Sequence, residues 1–153
     1  MNMQKLNLIT WVIVLFSSWA ADATKYNECG SANAYTLSVE ITPCDSDPCV
    51  LVTGQPVTVG ILFTATADIQ GGSASMQVVQ DTDIRWLPPP NKTLCECLNP
   101  SCPIEGGGTY DYKYTLELPD TIPSHQVDIR WELFDEREIL FLCVQFPMEI
   151  RAL

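Results

Sequence analysis

The chain contains one histidine, His125, in 153 residues, and only 8 lysines and arginines against 19 aspartates and glutamates. Scarce histidine removes the commonest base for a serine or cysteine nucleophile and a common zinc ligand. A formal net charge of −11 disfavours nucleic acid and anionic headgroups as partners. After residue 23 no apolar run is long enough to span a bilayer. Sustained helical periodicity with caps is missing as well, which turns attention to β-structure. No loop is built to cradle phosphate: Gly106-Gly107-Gly108 stands before a strand pattern, with no lysine directly after it.

What is present starts with a leader. Lys5 precedes a largely apolar stretch over residues 6–16, and Ser18-Trp19-Ala20 and Ala21-Asp22-Ala23 then offer small-x-small cleavage sites. This layout predicts a secretory signal peptide over residues 1–23, its apolar run too short for a comfortable bilayer span. Residues 24–153 are then expected to form one domain, long enough to bury its own core.

Seven cysteines follow: Cys29, Cys44, Cys49, Cys95, Cys97, Cys102 and Cys143. Behind a signal peptide they argue for disulfides. The cluster Cys95, Cys97, Cys102 invites a zinc reading. Zinc sites usually show paired two-residue spacings or histidines, however, and His125 is distant in sequence. No metal is therefore expected. Seven is odd, so one thiol is left over or pairs with another chain.

Apolar alternation runs nearly throughout. Tyr35, Leu37, Val39 and Ile41 are expected to share one face, and Val57, Val59, Ile61 and Phe63 another. Ala74, Met76 and Val78 alternate after Gly71-Gly72, as do Tyr110, Tyr112, Tyr114, Leu116 and Leu118, and then Val127, Ile129, Trp131 and Leu133. Residues 139–146 are almost continuously apolar, which suits a strand covered on both faces or central in a sheet. Short strands separated by turns such as 43–49, rich in Pro and Asp, mean an all-β sandwich or barrel. Chain length and the cysteines favour a disulfide-stapled sandwich.

No constellation supports a reaction. His125 follows Pro123-Ser124 in an expected exposed turn, and Asp135-Glu136-Arg137-Glu138 reads as a solvated connection between strands. The chain is therefore expected not to be an enzyme and to need no cofactor. Its apolar strand positions either fill their own core or leave a cavity between splayed sheets. Composition does not choose between them.

The order of motifs resembles the ML lipid-recognition family, which includes the secreted sterol carrier of Niemann-Pick type C disease and the mite group-two allergens. The resemblance is carried by Glu28-Cys29-Gly30-Ser31, Pro43-Cys44, Pro48-Cys49 and Gly54. It continues through Cys102-Pro103-Ile104, Tyr110-x-Tyr112, Pro123, Trp131-Glu132-Leu133, Asp135, Cys143, Pro147 and Ile150. Each element is weak alone, while their order and spacing together are specific.

The resemblance implies an immunoglobulin-like two-sheet β-sandwich of about seven strands. It also implies three bridges: Cys29 with Cys143, Cys44 with Cys49, and Cys102 with Cys95 or, alternatively, Cys97. The implied function is binding and transport of a single apolar lipid, foremost a sterol such as cholesterol, held between the sheets. A carrier of fatty acids or semiochemicals, or a lipid-dependent immune or receptor-recognition protein, is the alternative. Position by position, the pocket implied comprises Leu87 or Trp86, Leu118, Ile122 and Pro147. Val59, Phe63, Tyr112, Trp131 and Val144 are inner-wall candidates that ordinary core packing explains equally well. The implied partners are the lipid and a membrane or membrane transporter met during hand-off. The chain is expected to be a monomer unless the seventh cysteine pairs between chains. It is expected in the lysosome lumen or outside the cell. Asn91-Lys92-Thr93 is an N-glycosylation sequon in a proline-flanked loop.

Overall fold

The structure, a computed structural model, describes residues 23–153. The expected signal peptide, all but its last residue, lies outside the described residues. In chain order the elements are β1 (Asn27–Glu28), β2 (Ala34–Thr42), β3 (Cys49–Val52), β4 (Pro56–Ala65), β5 (Gly72–Gln80) and β6 (Asp83–Trp86). A helical turn α1 (Leu94–Cys97) follows, then β7 (Leu98–Asn99), β8 (Thr109–Glu117), β9 (Gln126–Asp135) and β10 (Leu140–Arg151). One sheet runs β1-β10-β9-β5-β6, with β3 added in parallel to the C-terminal part of β10. The other runs β2-β4-β8-β7 and is antiparallel. This is the immunoglobulin-like sandwich expected, and the short pieces β1, β3 and β7 take the strand count beyond about seven.

The core follows the alternation in most strands. Val57, Val59, Ile61 and Phe63 of β4 are buried, as are Ala74, Met76 and Val78 of β5 and Val127, Ile129, Trp131 and Leu133 of β9. Each of the Val, Ile, Leu, Met and Phe side chains among them contributes roughly 1.5–3 kcal/mol on leaving water.

β2 departs from expectation. Tyr35 and Leu37 are 69% and 53% exposed, while Ala34, Val39 and Ile41 are buried. The cause is a bulge: Thr36 pairs with Phe63 and Ser38 with Leu62, so Leu37 has no opposite residue and the phase of the strand flips there. β10 uses the same device at Phe141, between the Leu140–Phe134 and Leu142–Leu133 pairs. Phe141, Leu142, Cys143 and Val144 are all buried in this strand, which has β9 on one side and β1 and β3 on the other.

Three disulfides close the chain: Cys29–Cys143, Cys44–Cys49 and Cys95–Cys102. The first spans 114 residues and contributes most in the chain-entropy picture, on the order of 4–5 kcal/mol. It also stitches the crossing from β1 to β2 onto β10. Ser31 Oγ accepts from the Cys143 N–H at 3.0 Å, and the N–H groups of Ala32 and Asn33 donate to the Phe141 carbonyl. Asp135 proves to be more than a solvated turn residue. It is buried, and its carboxylate accepts from the N–H groups of Arg137 and Ile139, each at 2.9 Å, closing the β9–β10 hairpin.

Candidate functional site

Where the sheets face each other, the interior divides into two halves. Near the β1–β2 crossing it is aromatic: Phe63 packs on Tyr110 and Phe141, each with ring centroids 6.0 Å apart. Toward the other end it is mostly aliphatic, and a small void lies there. Ile41, Val57, Val59, Leu116 and Leu118 line it from one sheet and its continuations. Leu51, Leu87, Ile129, Trp131 and Phe146 line it from the other side.

The void measures about 10 Å³, at the lower limit for one water molecule. Pockets for drug-sized ligands are about 300–1,000 Å³. In this conformation the apolar seam is therefore closed, and anything larger than water must part its walls.

Of the residues singled out in the sequence, Val59, Leu87, Leu118 and Trp131 surround the void. Phe63, Tyr112 and Val144 are fully buried but do not line it. Tyr112 meets the Trp131 ring edge-on at 6.0 Å. Ile122 is buried in the turn after β8, where its N–H donates to the Pro119 carbonyl, and it does not line the void either. Trp86 is 68% exposed on β6, cross-strand from Gln77, so strand parity sends Leu87 inward and Trp86 out. Pro147 lies between the buried Phe146 and Met148 and opposite Asp128. It borders a polar surface groove with Pro48, Gln80 and Asp81.

Six lining residues were not singled out: Ile41, Leu51, Val57, Leu116, Ile129 and Phe146. A usable signal existed, since Val57, Leu116 and Ile129 each lie two positions from a residue that was named and so share its face.

Behind the apolar seam lie a few buried polar atoms. Tyr112 Oη and Trp131 Nε1 are buried and make no hydrogen bond of good geometry among the described residues, their polar neighbours being each other and the Cys97 thiol. Burial, and then the neighbouring Cys97 thiol, hold the Tyr112 hydroxyl far above its ordinary pKa. Cys97 is the free cysteine, and burial pushes its thiol pKa up. A nucleophile needs the opposite shift. His125 is exposed, and among the described residues no group of three metal-ligating side chains forms.

The seam reaches the surface beside a groove of about 390 Å³, bordered by Pro88, Pro89, Asn91, Tyr114, Glu117 and Pro119. Leu87 and Leu116 line both the groove and the void. The segment 87–93 lies over this mouth as a strap. Tyr114 Oη accepts from the Asn91 N–H at 3.3 Å and donates to Asn91 Oδ1 at 3.2 Å. On the other side of the mouth, Leu118 is fixed by its carbonyl, which accepts from the Gly54 N–H at 3.1 Å.

Comparison with known proteins gives a consistent answer. A family model described as ML domain matches residues 23–150. NPC intracellular cholesterol transporter 2 of Bos taurus is 31% identical over 151 residues, covering 98% of this chain and all of that protein. The ecdysteroid-regulated 16 kDa protein of Manduca sexta is 32% identical, with 93% and 97% covered. Among solved structures, a Niemann-Pick type C2 protein from the Japanese carpenter ant superposes with a TM-score of 0.74 at 23% identity. That match covers 83% of this chain and 99% of the other, and it speaks to the fold alone.

Proposed function

We propose that this chain, which belongs to the ML domain family, is a carrier that takes one sterol between its sheets and gives it up again at a membrane. The observation that carries the reading is the apolar seam. It is lined wholly by apolar side chains, opens beside a groove at Leu87 and Leu116, and lies in a chain alike over its whole length to a cholesterol transporter.

Physical chemistry supports the mechanism. Each 100 Å² of apolar lipid surface hidden from water is worth roughly 2.5 kcal/mol. Few polar contacts are then needed to hold a sterol. Because the void offers only about 10 Å³, loading has to separate side chains that already touch. That cost is recovered only by a ligand that refills the space with apolar contact, which disfavours small polar molecules. Unloading needs a competing apolar environment, which a bilayer provides. Leu87 on the strap and Leu118 on the opposing turn are the gate residues in this scheme.

Three disulfides support a working place outside the cell or in a lumenal compartment such as the lysosome. The burial of Cys97 supports a monomer, since the odd thiol faces inward. Among the described residues no helix is long and apolar enough to cross a membrane.

The test is native mass spectrometry of the secreted protein, followed by solvent extraction and titration of the delipidated chain with a fluorescent sterol. One sterol per chain is expected, with saturable binding. A fatty acid in the extract would keep the seam but change the cargo. Failure to bind any sterol at any pH would overturn the reading.

A further inference from the structure

Asn91 heads the sequon Asn91-Lys92-Thr93 and stands exposed at the end of the strap over the mouth. The strap starts at Leu87, whose N–H donates to the Met76 carbonyl at 3.0 Å and whose side chain is buried at the void. Pro88, Pro89 and Pro90 come next, and consecutive prolines make a stiff extended segment. At its far end the strap is latched by the two Asn91–Tyr114 hydrogen bonds. Tyr114 itself packs on Trp131, ring centroids 6.2 Å apart, and Trp131 lines the void. Just beyond, Thr93 caps α1, accepting from the Glu96 N–H at 3.4 Å while its own N–H donates to Glu96 Oε2 at 2.7 Å.

Asn91 is thus held between two anchored points at the rim. The latch uses Oδ1. It leaves Nδ2, the atom to which an N-linked sugar attaches, unengaged among the described residues.

We propose that Asn91 carries an N-linked oligosaccharide that stands over the mouth, keeps it off bilayers and slows lipid exchange without changing lipid affinity. This rests on the carrier reading and deepens it by adding a modification that sets the rate. In the attachment step Nδ2 displaces the pyrophosphate of a lipid-linked oligosaccharide from the anomeric carbon. A C–N bond forms, the C–O bond to pyrophosphate breaks, and Nδ2 loses one proton as the lipid pyrophosphate departs. Asn91 borders the groove and not the void, so a glycan that extends outward from its Nδ2 would interact alike with the empty and the loaded protein. A group with no differential interaction shifts no equilibrium. It can still obstruct the encounter with a membrane, and it then lowers uptake and release by one common factor.

The molecule supplies its own reporter. Once residues 1–23 are removed, its tryptophans are Trp86 and Trp131. Trp86 adjoins the strap and is exposed, and Trp131 is fully buried. Quenching by brominated phosphatidylcholine vesicles therefore reads the approach of the mouth to a bilayer, whether or not the protein holds a lipid.

The experiment uses the chain secreted from eukaryotic cells, before and after trimming with an endoglycosidase that leaves one sugar on the asparagine. Glycopeptide mapping is expected to find the oligosaccharide on Asn91. Trimming is expected to raise Trp86 quenching and to speed fluorescent-sterol transfer to and from phosphatidylcholine vesicles by about threefold or more in each direction, at constant Kd. An unmodified Asn91 peptide would overturn the proposal, as would quenching and transfer that trimming leaves unchanged. If neither form takes up sterol, the carrier reading fails, and the quenching still decides whether the glycan shields the mouth.

Discussion

Trp131 of one sheet meets Tyr112 of the other edge-on at 6.0 Å, and the polar atoms of both rings, Nε1 and Oη, are buried without a hydrogen bond of good geometry, beside the Cys97 thiol. This contact separates the compressible aliphatic half of the interior from the aromatic half behind it. Leaving a buried polar atom unpaired costs roughly 1–3 kcal/mol, so the pair carries stability losses that a purely apolar pair would avoid.

Tyr112→Phe is accordingly expected to leave stability unchanged or to raise it by about 1 kcal/mol. Urea midpoints at equal m-value measure it. A loss of about 1 kcal/mol or more would mean that the hydroxyl has a partner in solution, for which the neighbouring Cys97 thiol and Trp131 Nε1 are the candidates.

Leu118→Trp places a larger side chain where the void offers about 10 Å³. Overpacking of this sort costs roughly 1–3 kcal/mol, which a triply bridged sandwich should survive. The variant is expected to fold, by circular dichroism, and to bind no fluorescent sterol. Normal binding by a folded Leu118→Trp would move the gate elsewhere.

Cys97 is buried with a raised thiol pKa, and the other six cysteines are bridged. A maleimide is expected to leave the native protein unmodified at neutral pH and to add one adduct in guanidinium without reductant. Intact mass reads the count. Rapid native labelling would show that Cys97 faces solvent, and an absence of any adduct after unfolding would show that it is paired.

Asp135 has its carboxyl pKa held below the ordinary value, first by the Ile139 N–H and then by the Arg137 N–H and guanidinium. The ionised form is therefore favoured by folding. Its contribution is complete above the ordinary aspartate range and is lost as pH falls through the lower folded value. Asp135→Ala is expected to lower the urea midpoint at pH 7 and to show a smaller further drop at about pH 3 than the parent chain. Equal drops in both proteins would assign the acid sensitivity to other carboxylates.

The strands whose side chains alternate without interruption were legible from the residues alone. β4, β5 and β9 bury the positions that period two selects, and the cysteines pair as the family resemblance implies, whereas the burial of Asp135 at the β9–β10 turn was not legible. β2 was not legible, because a bulge is a backbone decision that leaves no composition signal. Tyr35 and Leu37 look like core and are surface because Leu37 has no partner on β4. At the mouth, Trp86 and Leu87 are both large and apolar, and only the register with Gln77 and Met76 tells inside from outside. Pro147 fits the motif yet sits on the outer face, since its neighbours Phe146 and Met148 take the inward positions. The size of the void could not be read at all, being a small difference between the volumes of ten side chains and the space that the two sheets leave.

The aromatic half of the interior also acts as a depth stop. From Leu118 at the mouth to Tyr112 is six residues along the chain, or about 20 Å at the rise of a strand. Aliphatic side chains such as Leu116 have free rotamers, whereas Tyr112 is braced against Trp131 and, farther in, Phe63 against Tyr110 and Phe141, with the stitched crossing behind them. On the carrier reading the fold would then act as a gauge: a cargo longer than about 20 Å would have to leave its remaining end outside, in the groove under the strap.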